Sequence, residues 1–226
     1  MRYAVIGSGI SGMASAWLLS SKAETYLFEV EDRIGGHSHT VFADTPEGRF
    51  PVDTGFIVYN ERTYPNFIKL LDQLGVERQL STMGFSVKSL NEDYEYSGES
   101  LNTLFAKRSN IFRVGFLRML YEMYKFGKEA DVSGAGLDSS ITLGQYLRSK
   151  NYSEEFIHYF ITPMGAAIWS TPANKVLDMP AYFFIKFFYN HGMLEIVNRP
   201  KWWVIKNGSS QYIKKLIKDY KDKIHL

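Results

Sequence analysis

The chain contains no cysteine. That absence excludes disulfides, thiolate metal sites, a thiol nucleophile and any cofactor tethered through sulfur, and it fits a reducing, cytoplasmic compartment. An excess of either charge is also lacking. Lys and Arg number 26 against 24 Asp and Glu, a net charge of +2. A nucleic-acid partner held through bulk charge and an acidic solvating tail are both excluded by that balance. There is no long apolar run. The apolar stretch from Met179 to Phe188 contains Lys186 and is short for a bilayer, and Tyr3 to Ile6 is short for a signal-peptide core. No internal repeat or low-complexity tract occurs. What remains is ordinary globular composition, 45% hydrophobic and 22% charged. Aromatic residues reach 15%, which suits a ring-rich core or a pocket for a flat or oily ligand.

The first thirty residues carry the strongest pattern. Arg2 to Ile6 reads as a short buried strand. It leads directly into Gly7-Ser8-Gly9-Ile10-Ser11-Gly12, a complete G-x-G-x-x-G. Residues 13–20 read as a helix and residues 25–30 as a second strand. Glu29 lies at its end, 22 residues after Gly7. Each part has a task in dinucleotide binding. Gly7 lets the chain turn out of the strand, Gly9 lets pyrophosphate approach the backbone, and Gly12 lets the helix pack close. The helix start offers free N–H groups to phosphate. Glu29 can accept hydrogen bonds from ribose hydroxyls and disfavours a 2′-phosphate, so NADP is excluded.

A second glycine signal follows in Glu31-Asp32-Arg33-Ile34-Gly35-Gly36-His37. Acid, arginine, short gap and paired glycine together resemble the signature of the flavin-containing amine oxidase and phytoene desaturase superfamily. The resemblance implies FAD as cofactor. It also implies that Arg33 contacts the ADP part, and that Gly35 and Gly36 pass near the pyrophosphate and the flavin. Many members carry arginine after the doublet, whereas this chain has His37. Asp53-Thr54-Gly55-Phe56-Ile57 is similar to a stretch beside the isoalloxazine ring, which makes Gly55, Phe56 and Ile57 flavin neighbours; Gly55 also reads as a bulge or tight bend. The expected FAD-binding set is Gly7, Ser8, Gly9, Ile10, Ser11, Gly12, Glu29, Val30, Arg33, Gly35, Gly36, His37, Gly55, Phe56 and Ile57. His37 and His39 could share one strand face, but no third ligand has suitable spacing and no metal is expected.

Further along, residues 41–60 read as a hairpin turning at Asp44-Thr45-Pro46-Glu47-Gly48, and residues 64–74 as a helix ended by Gly75. Residues 85–87 and 94–96 read as paired strands. Residues 111–126 read as a helix with an apolar stripe, and Arg113, Arg118 and Lys125 on it could face anionic lipid or plain solvent. Residues 132–140 read as a loop, and residues 142–149 and 153–160 as helices. The proline-bracketed segment 162–172 reads either as the lining of a substrate channel or as a packed helix-to-helix turn. Residues 202–206 read as a strand, followed by a Gly-Ser turn, a helix through Tyr220 and the start of another strand at residues 223–226.

Tyr59-Asn60-Glu61-Arg62-Thr63-Tyr64-Pro65, the segment from Pro163 to Ser170 and Phe187-Phe188-Tyr189-Asn190-His191-Gly192 narrow the resemblance. They look like a bacterial group of FAD-binding amine-oxidase-like proteins with relatives in the N-terminal part of plant cyclopropane fatty-acid synthases. The expected fold is α/β. A Rossmann-like FAD domain (residues 1–62 and 201–226) would hold an inserted, mainly helical substrate region (residues 63–200). The resemblance implies hydride transfer from a C–N or C–C bond of a small, apolar, acyl-lipid-like substrate to FAD. It implies no transmembrane segment, with peripheral membrane contact allowed. Family members continue past this length, so the chain is expected to be C-terminally incomplete, with an exposed sheet edge that a missing part or partner chain would cover. Two other readings stay open: a non-catalytic dinucleotide-binding module, and an NAD-dependent dehydrogenase, which would have no need of the Gly35-Gly36 pair. His158 and His191 read as core or surface histidines, and no residue is nominated as catalytic.

Overall fold

The structure is a computed structural model and describes residues 1–90, 92–129, 138–193 and 200–226. In chain order it runs β1 (Arg2–Ile6), α1 (Ile10–Ser20), β2 (Glu24–Phe28), β3 (Thr40–Thr45), β4 (Gly48–Asp53), β5 (Tyr59–Asn60), α2 (Pro65–Gln73) and β6 (Arg78–Ser81). Then follow β7 (Ser86–Lys88), β8 (Glu95–Ser97), α3 (Leu101–Leu104), α4 (Val114–Glu129), α5 (Leu143–Ser149), α6 (Glu154–Phe156), α7 (Thr162–Trp169), α8 (Ala173–Val176) and α9 (Ala181–Asn190). The chain closes with β9 (Trp202–Ile205), α10 (Ser210–Leu216) and β10 (Ile224–His225). The loop expected at residues 132–140 lies mostly outside the described residues.

The chain forms two compact units. The first joins Met1–Thr82 to Lys201–Leu226, and the second is Met83–Pro200. The first unit therefore runs 20 residues past the division expected at residue 62. The reason is packing: α2 puts Phe67 and Leu71 against Tyr59 and Tyr212 of the same core.

In the first unit, β1 and β10 flank β2 in a parallel three-stranded sheet, with Arg2 opposite Glu24 and Ile224 opposite Leu27. α1 connects the two parallel strands β1 and β2, as a parallel pair requires. It buries Met13 and Ala16 with Leu27, Leu216 and Tyr220, and the Tyr220 hydroxyl donates to the Met13 carbonyl at 2.9 Å. A second, antiparallel sheet in the order β5-β9-β6 carries Tyr59 opposite Trp203. The β3–β4 hairpin turns at Pro46 and Glu47. One expectation fails here. β1 is not buried: it pairs on one side only, and Ile6 is 79% exposed. Its apolar sequence suits a strand covered on both faces, and these residues cover neither face well.

The second unit packs helices α3 to α9 and the β7–β8 hairpin around rings. Tyr96, Phe116, Phe126, Phe156, Phe184 and Phe188 are fully buried, with centroid spacings such as 4.3 Å for the Phe184–Phe188 stack. Thr142 starts α5 with a capping box to Gln145. Glu122 of α4 is buried and spoken for by its neighbours: Arg118 Nε at 3.0 Å, the Ser153 N–H at 3.1 Å and the Ser153 hydroxyl at 2.5 Å. It thereby fastens α4 to the residue that caps α6.

The segment from residue 162 to 172 is a helix over Thr162–Trp169 and not a turn. α6 runs through a π-helical stretch, Ile157–Ile161, directly into α7. The helix ends at Ser170 in the left-handed region, φ +47°. Gly165 faces inward, where a Cβ would come within 2.5 Å of Val176 Cγ1. Pro163 has no N–H to give the Tyr159 carbonyl one turn back. The Tyr96 hydroxyl, on a residue 2% exposed, supplies the missing donor at 2.7 Å. Burial pushes the Tyr96 pKa up, so the donor proton stays on at every pH the fold survives. Tyr96→Phe should leave that carbonyl unpaired. We expect a loss of about 1–2 kcal/mol, read as a lowered urea midpoint at unchanged slope.

Candidate functional site

The glycine loop sits between the end of β1 and the start of α1. Gly7 turns with φ +91°, a region open to glycine and strained for other residues, and its N–H donates to the Phe28 carbonyl at 2.7 Å. A Cβ on Gly12 would lie 1.9 Å from the Gly7 carbonyl oxygen. No side chain fits there, so α1 can seat against the loop only with glycine at this position. Gly9 differs from both. It is the N-cap of α1 with ordinary extended backbone, φ −63°, and a Cβ on it would meet nothing within 4 Å. No side chain caps α1 and no acid stands in its first turn. The helix therefore presents its first N–H groups, and its partial positive charge, to open space beside Gly9.

Glu29 follows β2 and crosses to this loop. Its Oε2 accepts from the Ser8 N–H at 2.7 Å and the Ser8 hydroxyl at 2.5 Å. Its Oε1 accepts from the N–H groups of Val30 at 2.8 Å and Glu31 at 3.1 Å. The Ser8 hydroxyl, then the Ser8 and Glu31 N–H groups, hold the Glu29 carboxyl down to about 2. Both carboxylate oxygens are thus engaged by the chain. The reading of Glu29 as a free acceptor for ribose hydroxyls needs this refinement: it braces the loop, and a ribose would share oxygens already in use.

The glycine doublet closes the other side. The Gly35 N–H donates to both the Ser8 carbonyl and the Ser8 hydroxyl at 3.1 Å. Gly35 has φ +116° and Gly36 φ +56°, and a Cβ on Gly36 would stand 3.1 Å from Gly9 Cα. The two glycine motifs, far apart in sequence, form one backbone surface. Arg33 donates to the Gly36 carbonyl at 2.9 Å and stays exposed. Ile10, Ser11 and His37 are exposed, and Val30 is 95% exposed.

The third expected segment joins through His37. Its carbonyl accepts from the Phe56 N–H at 2.7 Å, and a Cβ on Gly55 would come within 2.3 Å of the same oxygen. Gly55 is thus a close backbone approach. Ile57 is half exposed, but the Phe56 ring turns into the core against Tyr59 and Phe67. Phe56 can offer a cofactor its backbone, not its ring. His39 Nδ1 pairs with the Thr54 hydroxyl at 2.9 Å, and among the described residues no three His, Asp or Glu side chains converge as a metal site.

Sequence reasoning missed a second brace. Asp53 Oδ1 accepts from the Thr40 hydroxyl at 2.6 Å, the Ser209 N–H at 2.9 Å and the Ser209 hydroxyl at 2.8 Å. The Ser210 N–H donates to the Thr40 hydroxyl at 2.9 Å. The Asp-x-Gly segment thereby ties the hairpin to the start of α10. Gly208, at φ +91°, brings the chain so near Thr40 that a Cβ would stand 2.5 Å from its methyl. An acid before Gly55 and serines after Gly208 were visible in sequence, but nothing there paired them.

The residues fit a dinucleotide: open backbone at Gly9, unclaimed helix N–H groups, and a second glycine surface beside them. Comparison with known proteins agrees. The family model for flavin-containing amine oxidoreductases matches residues 10–226, and the chain belongs to that family. FAD is the cofactor of this class, and the fold is the α/β, Rossmann-like FAD-binding fold. Cyclohexylamine oxidase from Brevibacterium oxydans IH-35A is similar in structure, with a TM-score of 0.67 at 19% identity over all of this chain and 50% of that one. Putrescine oxidase bound to putrescine gives 0.64 at 19%, over all of this chain and 51% of that one. An oxidoreductase from Methanosarcina mazei gives 0.62 at 15%, again over all of this chain and 51% of that one. No curated protein matches. The chain spans about half the length of the solved structures it resembles.

The brace makes a prediction about titration. A depressed pKa contributes stability present above the ordinary carboxylate value and lost as pH falls through about 2. Ser8→Ala removes the largest cause. Carbon-13 NMR of the Glu29 carboxyl should show it titrating higher in Ser8→Ala than in the parent chain.

Proposed function

We propose that this chain builds the dinucleotide-holding part of an FAD-dependent oxidoreductase, which moves a hydride from a C–N or C–C bond of an apolar substrate to the flavin. The observation that carries the reading is Gly9. Nothing within the fold demands glycine there: its φ is ordinary and the space around it is open. A ligand that needs the backbone bare does demand it, and pyrophosphate at a helix N-terminus is such a ligand. Glycines at 7 and 12, in contrast, are explained by turn and packing alone.

FAD supplies the hydride acceptor. The chain's own residues hold and orient it. The N–H groups opening α1 face the pyrophosphate. Gly36 keeps the opposite wall thin. Glu29, fixed by Ser8, sets the loop to which the ribose end docks. Arg33 stays near the ADP part with its guanidinium on the Gly36 carbonyl. Gly55 and the backbone of Phe56 and Ile57 border the flavin. The inserted region receives the substrate. An acyl-lipid substrate is preferred to a polar amine by analogy alone, through the resemblance to the N-terminal part of plant cyclopropane fatty-acid synthases. A cytoplasmic setting fits the absence of cysteine.

A second reading is a dinucleotide-binding module that works with a partner chain. Turnover with an artificial electron acceptor separates the two, because the module alone would bind FAD without being reduced by substrate.

Gly9→Val tests the site. The valine has room in the fold, so the variant should keep its unfolding midpoint, while visible absorbance and FAD released on denaturation both disappear. Unchanged FAD content in the folded variant would remove the placement.

A further inference from the structure

We propose that the exposed face of α4 docks on the surface of an anionic lipid bilayer. The argument starts with a helix that is apolar on two faces. One face fills the core with Phe116, Met119 and Phe126, and buries Glu122. The opposite face has no such use, yet it carries Val114, Leu117, Tyr121 and Tyr124, all exposed and spaced at i, i+3, i+7 and i+10. A helix needs one apolar stripe to join a core, and a second stripe facing water contributes nothing to it. The 3₁₀ turn before α4, Arg108–Phe112, also ends in exposed apolar residues, Ile111 and Phe112, the latter 87% exposed.

Charge selects the occupant. Arg118, Lys125 and Lys128 flank the stripe; Arg118 pairs with Glu122 at 3.0 Å and Lys125 donates to the Lys150 carbonyl at 3.4 Å, so the charge that marks this face is carried chiefly by Lys128. The only acid within the helix before its last residue is Glu122, which is buried and committed to Ser153 and Arg118. Glu129, at the end, pairs with Lys125 at 3.8 Å. The Lys128 ammonium lies over the Tyr124 ring at 5.9 Å, a cation held at the polar margin of an aromatic surface. Tyrosines beside lysine and arginine, with aliphatic residues between, are the composition of a helix lying in a headgroup region. The apolar side chains reach the acyl boundary and the basic ones meet lipid phosphate. At 16 residues α4 is short for a span, and among the described residues no helix is long and apolar enough to cross a membrane. An in-plane contact is the geometry left. This inference concerns the second unit alone and does not depend on the substrate.

The test is sedimentation of the 226-residue chain with vesicles, either pure phosphatidylcholine or containing about 30 mol% phosphatidylserine. Binding to the anionic vesicles is expected, weak or absent on the neutral ones, and weakened by added salt. Leu117→Ser with Tyr121→Ser keeps every charge and should lower binding about tenfold. Lys128→Gln should lower it about fivefold. Near-UV circular dichroism confirms the fold of each variant, and Tyr121→Ser alone serves if the double variant is unstable. No partition onto anionic vesicles, or full binding by a folded serine variant, would overturn the proposal. So would a concentration-dependent dimer that the serine variants dissolve, since the face would then belong to a second copy.

Discussion

The contact between residue 12 and the Gly7 carbonyl is the constraint on which the first unit depends. At 1.9 Å a Cβ cannot exist there, so the helix either carries glycine or moves away from the strand. Seated closely, α1 brings its N-terminus into line with the turn out of β1, and Ser8 is carried to where Glu29 can grip it. Ser8 then presents its carbonyl and hydroxyl to Gly35. One hydrogen-bonded serine thus connects loop, strand end and doublet, three pieces that would otherwise be free to separate. The cofactor surface is preorganised by the chain itself, which lowers the ordering cost of binding.

The second unit is held differently. Its centre is a continuous mass of rings, and two of its buried polar groups join elements that rings alone would leave apart. Glu122 joins two helices through Ser153, and Tyr96 completes the carbonyl that Pro163 leaves bare. Buried polar groups of this kind fix register at points where rings alone would tolerate sliding.

Much of the glycine-loop geometry could be read in the sequence because glycine has few reasons to recur. The spacing of Gly7, Gly9, Gly12 and Glu29 specified strand, turn, helix and acid, and each stands where local chemistry put it. The doublet was equally legible. What escaped were pairings across long stretches of chain. Asp53 and Ser209 lie 156 residues apart, and no local pattern declares that one caps the other's helix. The engagement of Glu29 by Ser8 was hidden for the same reason. In segment 162–172 the prolines at both ends look like turn punctuation, whereas the chain is helical over Thr162–Trp169; Pro163 is tolerated in the helix by a tyrosine hydroxyl from a distant hairpin. The strand β1 was expected to be buried on composition alone, and composition reports what a strand suits, not what lies against it.

The discontinuity of the first unit has a consequence for how the chain acquires its shape during synthesis. Its central sheet needs β10, and α1 needs Tyr220, whose bond to Met13 spans 207 positions. The second unit, in contrast, is uninterrupted. As the polypeptide leaves the ribosome, the aromatic insert can condense while the glycine loop, already emerged, still waits for its closing strand. During that interval the edge of β2 that β10 later covers is bare, and it is a surface a chaperone would shield. The residues of the first unit are thus mostly made first, yet they are joined only after residues 201–226 have followed the insert.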